Sequence, residues 1–170
     1  MPLLRDGEIV DDRWLAPGDD DPVTPGGDVI VGLDRWRGER EAILATAGSV
    51  GLRLTSDQDP GAIAADLDRF GLIVLEFPGF ADGRPFTQAR DLRERHGYSG
   101  ELRAGGPLVP DQYAYLLRCG IDTVAIPDGA PVEPWRAARD RFSVWLQPAS
   151  DGRLHAAGLR RRRAAAEQGG

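Results

Sequence analysis

Arginine and carboxylate are the only reactive groups this chain carries in quantity. All 21 basic residues are arginine, set against 27 acidic ones, and the soft or titratable ligands are His96, His155 and Cys119 alone. Without lysine the chain can form no Schiff base, no pyridoxal-phosphate linkage and no P-loop. Two histidines and one cysteine scattered in sequence do not make a zinc or iron–sulfur centre. A bound metal would have to be an oxygen-ligated ion of the Mg²⁺ kind. No G-x-G-x-x-G occurs, which removes support for a Rossmann dinucleotide site. The expectation is a protein with no metal and no intrinsic cofactor.

What remains is anion recognition, because arginine's planar fork binds carboxylates and oxyanions at two points. Several polar residues fall at the ends of apolar runs: Asp34, Asp57, Glu76, Arg103 and Asp128. Asp82, Arg84, Asp111 and Gln112 stand in the segments that follow. Glu76 closes the run Leu72-Ile73-Val74-Leu75. A carboxylate there costs several kcal/mol to bury unless it is paired. Arg103, closing the next run, is its expected partner, either in a structural pair or in a working site.

Gly105-Gly106 follows Arg103 and precedes a helix. Free backbone N–H groups at such a place favour phosphate, sulfate or sulfite, although a plain turn is the other reading. Arg90, Arg93 and Arg95 make the next-earlier helix basic. Their i,i+4 partners Glu94 and Asp91 suit a solvated face. A docking face for an acidic partner, through Arg90 and Arg93, is the alternative. His96 stands where that helix ends. Cys119 lies at a helix C-terminus, where a thiol becomes less acidic, and reads as a small buried hydrophobe.

Elements that position these residues are legible in the hydrophobic pattern. Residues 3–10 read as a β-hairpin about Asp6-Gly7, a favoured type I′ turn. Residues 16–28, rich in proline, glycine and aspartate, read as a flexible connection. Strands follow at 29–31, 52–54, 72–75, 101–103 and 123–126. Helices alternate with them near 36–47, 59–70, 87–96, 110–119 and from Pro134, the last with Trp135, Ala138, Phe142, Trp145 and Leu146 at helical spacing. Asp59-Pro60 is an N-cap followed by a first-turn proline.

Five βα units imply a parallel sheet with right-handed crossovers. A closed eight-stranded barrel needs about 200 residues or more. The expected architecture is therefore α/β with a partial (β/α) barrel, an open doubly wound sheet being the alternative. In either one, sites form beyond the carboxyl ends of the strands.

The chain's 170 residues suit one domain, here read as 1–148, with 149–170 as a basic tail around Arg160 to Arg163. A net charge of −6 makes a poor footprint for nucleic acid. The N-terminal residues carry no signal-peptide pattern, and no apolar run approaches the ~20 residues of a membrane helix. A cytoplasmic protein is expected.

Several motifs stand in order along the chain. They are Leu4-Arg5-Asp6-Gly7; Phe77-Pro78-Gly79-Phe80-Ala81-Asp82-Gly83-Arg84; Gln88-Ala89-Arg90-Asp91-Leu92-Arg93; Gly100-Glu101-Leu102-Arg103-Ala104; Asp111-Gln112; and Arg118-Cys119-Gly120-Ile121-Asp122. Over roughly residues 3–147 they resemble the bacterial family catalogued as domain of unknown function 934. Ile121 stands where an aromatic residue is expected. Members of that family are often labelled probable oxidoreductases of sulfite reduction. The resemblance thus implies an accessory protein of sulfite reduction, with the siroheme sulfite reductase haemoprotein as its partner. The alternative from the residues is a small enzyme or sensor that binds an oxyanion or phosphorylated metabolite at the strand ends. Its candidate residues are Glu76, Asp82, Arg84, Arg103, Gly105, Gly106, Asp111 and Gln112. Purified protein should be colourless and metal-poor; a flavin spectrum or stoichiometric iron would overturn the absence of a cofactor.

Overall fold

The structure, a computed structural model, describes residues 1–141, 145, 149, 155, 156 and 158–161. Two short strands, β1 (Leu3–Arg5) and β2 (Glu8–Val10), form the expected hairpin. Its turn residues Asp6 and Gly7 both have positive φ, 48° and 80°, as a type I′ turn requires. The alternating part contains β3 (Asp28–Gly32), α1 (Leu33–Thr46), β4 (Ser49–Leu54) and a 3₁₀ helix at Pro60–Arg69. It continues through β5 (Phe70–Glu76), α2 (Arg84–Arg90) with a π turn at Asp91–Arg95, and β6 (Glu101–Gly105). It closes with α3 (Pro110–Arg118), β7 (Thr123–Ala125) and α4 (Glu133–Asp140). Among the described residues no helix is long and apolar enough to cross a membrane.

All seven strands share one sheet in the order β2-β1-β7-β6-β5-β4-β3. The five strands β3 to β7 are parallel and lie side by side in chain order; β1 joins β7 antiparallel. A doubly wound sheet reverses its order at a switch point. This one does not, so it is wound as a barrel is wound, yet it is not closed.

Steady winding in one direction puts the helices on one face. The main core joins Val29, Val31, Leu52, Leu54, Ile73, Leu75, Leu102, Ala104 and Val124 of the sheet to Trp36, Ile63, Leu92, Tyr113 and Trp135 of the helices. Ile30, Leu72 and Val74, which alternate with them, pack instead against Trp14. Side chains alternate between faces along a strand, so the second face is covered by something other than a helix.

That cover is residues 11–15. They leave β2 at one edge of the sheet, and Leu15 makes a parallel bridge to Val29 of β3 at the other edge. Seven flat strands spaced about 4.8 Å apart would be about 29 Å wide. The five steps from Val10 to Leu15 reach at most about 17 Å. The sheet must therefore curl, and the segment is a strap across its concave side. Trp14 lies close over Gly51, where an added Cβ would sit 3.2 Å from the indole.

Three sequence readings differ in detail. Phe70, placed in a helical stripe, begins β5 instead, because the 3₁₀ helix ends at Arg69. Residues 16–28 are not a loose connection: Arg35 donates to the carbonyls of Gly18 (2.7 Å) and Asp21 (2.6 Å). The last helix ends at Asp140, and Trp145 bridges His155 rather than continuing it. Phe142, Leu146 and Arg162 to Arg163 lie outside the described residues, as does most of the proposed tail.

At the amino edge of the sheet one node ties several motif residues together. Arg93 donates to the carbonyls of Tyr98, Gly100 and Gly120 and to Asp122 Oδ2 at 2.7 Å. The same Asp122 oxygen accepts the backbone N–H of Leu102 at 2.8 Å. Hydrogen bonds to charged groups contribute about 1.5–3 kcal/mol each, less where water competes. Asp122→Ala should therefore lose about 2 kcal/mol, lowering the melting temperature by about 4–8 °C. An unchanged melting temperature would show that the node does not hold the edge.

Candidate functional site

A cavity of about 370 Å³ opens on the concave face, at the carboxyl ends of the strands. Its walls include Asp12 and Trp14 of the strap, Arg53 of β4, Glu76 of β5, and Arg103 and Gly105 of β6. The register explains the grouping. Arg53 lies level with Val74, Val74 with Arg103 and Arg103 with Thr123, so all four project from the concave face. Glu76 and Gly105 form the next level up on the same face.

Arg103 is the most constrained of these. The residue is 5% exposed, on a strand with helices behind it and the strap in front. A buried guanidinium costs several kcal/mol unless its donors are met. Asp12 Oδ2 accepts from it at 2.9 Å and Glu101 Oε1 at 3.3 Å. Glu101 is itself fixed by Arg5 (2.7 Å) and by the Thr123 hydroxyl (2.6 Å). The Nε–H of Arg103 is buried and has no acceptor among the described residues. An unmet buried donor costs about 1–3 kcal/mol.

The expected Glu76–Arg103 pair does not form. Glu76 is level with Gly105 and pairs with Arg53 at 3.3 Å, each side chain being about two-fifths exposed. Arg103 is one level lower and is taken by Asp12 and Glu101. Exposed pairs like Arg53–Glu76 contribute about 0–1 kcal/mol, so Arg53 can turn to another anion at little cost.

Gly105 and Gly106 line the same cavity, but not as a helix-capping anion loop. The helix α3 starts four residues later, at Pro110. Gly106 has φ +114°, and a Cβ there would meet the Phe77 carbonyl oxygen at 2.1 Å. The glycine pair lets the ends of β5 and β6 touch, with Phe77 N–H donating to Gly105 O.

The remaining candidates form separate groups. Asp82 accepts from the Arg84 guanidinium, the Arg84 backbone N–H and the Ser56 hydroxyl. Its hydrogen bond to Arg84 is the main reason its carboxyl stays well below the usual range. Asp57, held low chiefly by the Thr55 hydroxyl, lies near the same Arg84. Asp111 pairs with Arg141 on the surface (3.3 Å), and the Gln112 side chain accepts from the Val109 N–H at the start of α3. Asp34 and Asp128 are exposed and pair with Arg37 and the terminal amine.

The docking reading divides. Arg90 is exposed and pairs with Glu94 (3.3 Å). Arg93 is not available on an outer face, because its guanidinium is spent on three carbonyls and Asp122. His96 caps the π turn as expected.

Asp12, Trp14 and Arg53 were not singled out from the sequence. Arg53 carried a usable signal, since it interrupts the apolar run Leu52 to Leu54 as Arg103 interrupts its own. Nothing local marks Asp12 or Trp14. Cys119 takes no part: it is buried, and burial pushes its thiol up to about 11. Iodoacetamide should therefore spare Cys119 in folded protein at pH 8 and alkylate it after denaturation; rapid labelling of the native state would contradict this placement.

No curated protein and no solved structure matches the chain. A family model described as "Bacterial protein of unknown function (DUF934)" matches residues 51–156. That span holds most of β4 and all of β5 to β7, and with them Arg53, Glu76 and Arg103, while the strap lies before it. Well over half of the chain is covered, and the protein belongs to the DUF934 family of bacterial proteins of unknown function.

Proposed function

We propose that this protein binds a small oxyanion or phosphorylated metabolite in the concave-face cavity, and that it serves sulfite reduction as an accessory protein. One observation carries the binding part: Arg53 and Arg103 line a single cavity at the carboxyl mouth of the sheet. Among the described residues, Arg103 keeps an unmet Nε–H and Arg53 is held only by an exposed pair. Ordinary ligand sites have about 300–1,000 Å³. A cavity of about 370 Å³ is at the small end, with room for an anionic head and a short organic body. Trp14, Ile30, Val74 and Phe77 supply an apolar wall for that body.

The pathway part comes from the family resemblance, which makes sulfite the first anion to try. Docking on a siroheme sulfite reductase belongs to the same reading, with Arg90 as the exposed residue left to serve it.

Thermal-shift measurements against sulfite, sulfate, phosphate and phosphorylated three-carbon acids test the binding. A ligand at one hundred times its Kd adds about 2.7 kcal/mol, or about 5–10 °C for a chain of this length. Arg53→Ala should keep its melting temperature within a few degrees and lose the response. No shift with any of these anions would remove the binding proposal. A deletion strain that grows normally on sulfate as sole sulfur source would remove the pathway part and leave the binding to stand.

A further inference from the structure

We infer that Asp12 is a built-in competitor for the anion site, and that anion binding to Arg103 expels its carboxylate and loosens the strap. The inference rests on the binding reading above and adds how the site is kept shut.

With the strap in place Arg103 is 5% exposed, so no ligand from solution reaches most of its guanidinium. Two carboxylates hold it, and they differ in how firmly they are themselves held. Glu101 belongs to β6 and receives Arg5 and Thr123 as well. Asp12 belongs to the irregular strap; besides Arg103 it receives the Trp14 backbone N–H at 3.1 Å. Between Val10 and Leu15 the described residues show no backbone hydrogen bond from the strap to the sheet. Backbone attachment resumes where Leu15 N–H meets Asp28 O (2.8 Å) and Ile30 N–H meets Leu15 O (2.7 Å), and before it the strap is tied to β3 by the exposed Arg13 side chain on Asp28 at 3.0 Å. Asp12 is thus the anion that can leave.

The donor geometry gives an external oxyanion its advantage. Asp12 engages the guanidinium through one terminal nitrogen, and the Nε–H stays unmet. Glu101 holds the other terminal nitrogen, the one beside the Nε–H. Sulfate, sulfite or phosphate presents several oxygens, so an anion standing where Asp12 stands can take the Asp12 nitrogen and reach the outer N–H of its neighbour, the two-point geometry arginine favours. An incoming anion therefore gains a contact that the resident carboxylate never makes. Trp14 follows Asp12 by two residues and packs over Gly51, so release of Asp12 weakens the cover on the concave face next to it.

Two measurements on the full chain test this, with sulfate as the probe. In hydrogen exchange by mass spectrometry, amides of residues 11–14 should exchange about fivefold faster at saturating sulfate than without it. In titration calorimetry Asp12→Asn, which keeps the shape and removes the charge, should bind sulfate about tenfold more tightly than wild type. Asp11→Asn makes the same charge change next door and should stay within about twofold of wild type. Sulfate binding to wild type with unchanged exchange at 11–14, or with Asp12→Asn no tighter, overturns the competitor and leaves the binding site standing. Binding to Asp12→Asn but not to wild type supports both. Failure of both proteins to bind sulfate removes the competitor together with this site. The wild-type exchange comparison needs no variant, so it decides the matter even if Asp12→Asn does not fold.

Discussion

The ion pair between Arg103 and Asp12 joins the two halves of this fold, and the rest of the concave side is arranged about it. A sheet wound in one direction leaves one face without helices. That face holds Leu72 and Val74, which must be covered, and Arg103, whose charge must be met. One short segment does both. Trp14 covers the apolar residues and Asp12, two positions earlier, meets the guanidinium at 2.9 Å. The strap is too short to cross a flat sheet, so its bridge from Leu15 to Val29 at the far edge requires the curl that brings Arg53, Glu76 and Arg103 around one cavity.

Curling without closing has a chemical consequence. In a closed barrel the interior is filled by layers of side chains from all strands. Here the concave face is lined on one side only, and the space left over is polar at its walls. Four arginines, Arg5, Arg13, Arg53 and Arg103, and four carboxylates, Asp11, Asp12, Glu76 and Glu101, line the two cavities on this side. The balance of charge is close, which keeps the empty site affordable in free energy. Among the described residues that line these cavities, Arg103 Nε–H is a buried donor without an acceptor, and there the balance is incomplete.

Many of the motifs that carry the family resemblance are structural in this setting. Arg93, Gly120 and Asp122 build the amino-edge node; Gly106 lets two strand ends meet; Asp82 and Arg84 tie the loop after β5 to Ser56. Arginine is used here for its five donors as much as for its charge, since Arg35 and Arg93 bind backbone carbonyls that no lysine could hold so fully. A chain without lysine makes arginine do both tasks, and sequence alone does not say which task a given arginine has.

Hydrophobic periodicity, turn chemistry and caps were enough to read the hairpin at Asp6-Gly7, the alternation of strands and helices, the cap at Asp59 and the burial of Cys119, because each depends on neighbours within a few residues. Arg103 and Glu76 were visible as charges set in apolar strands, but not their partners. Pairing between strands depends on register, and Glu76 falls level with Gly105 rather than with Arg103. The choice between a doubly wound and a barrel-like sheet also needed the strand order, which is a property of the whole chain. Above all, Asp12 and Arg103 are 91 residues apart, and no local pattern links them. Only tertiary structure decides that contact, because only the folded sheet brings its two edges near enough for a five-residue strap to cross.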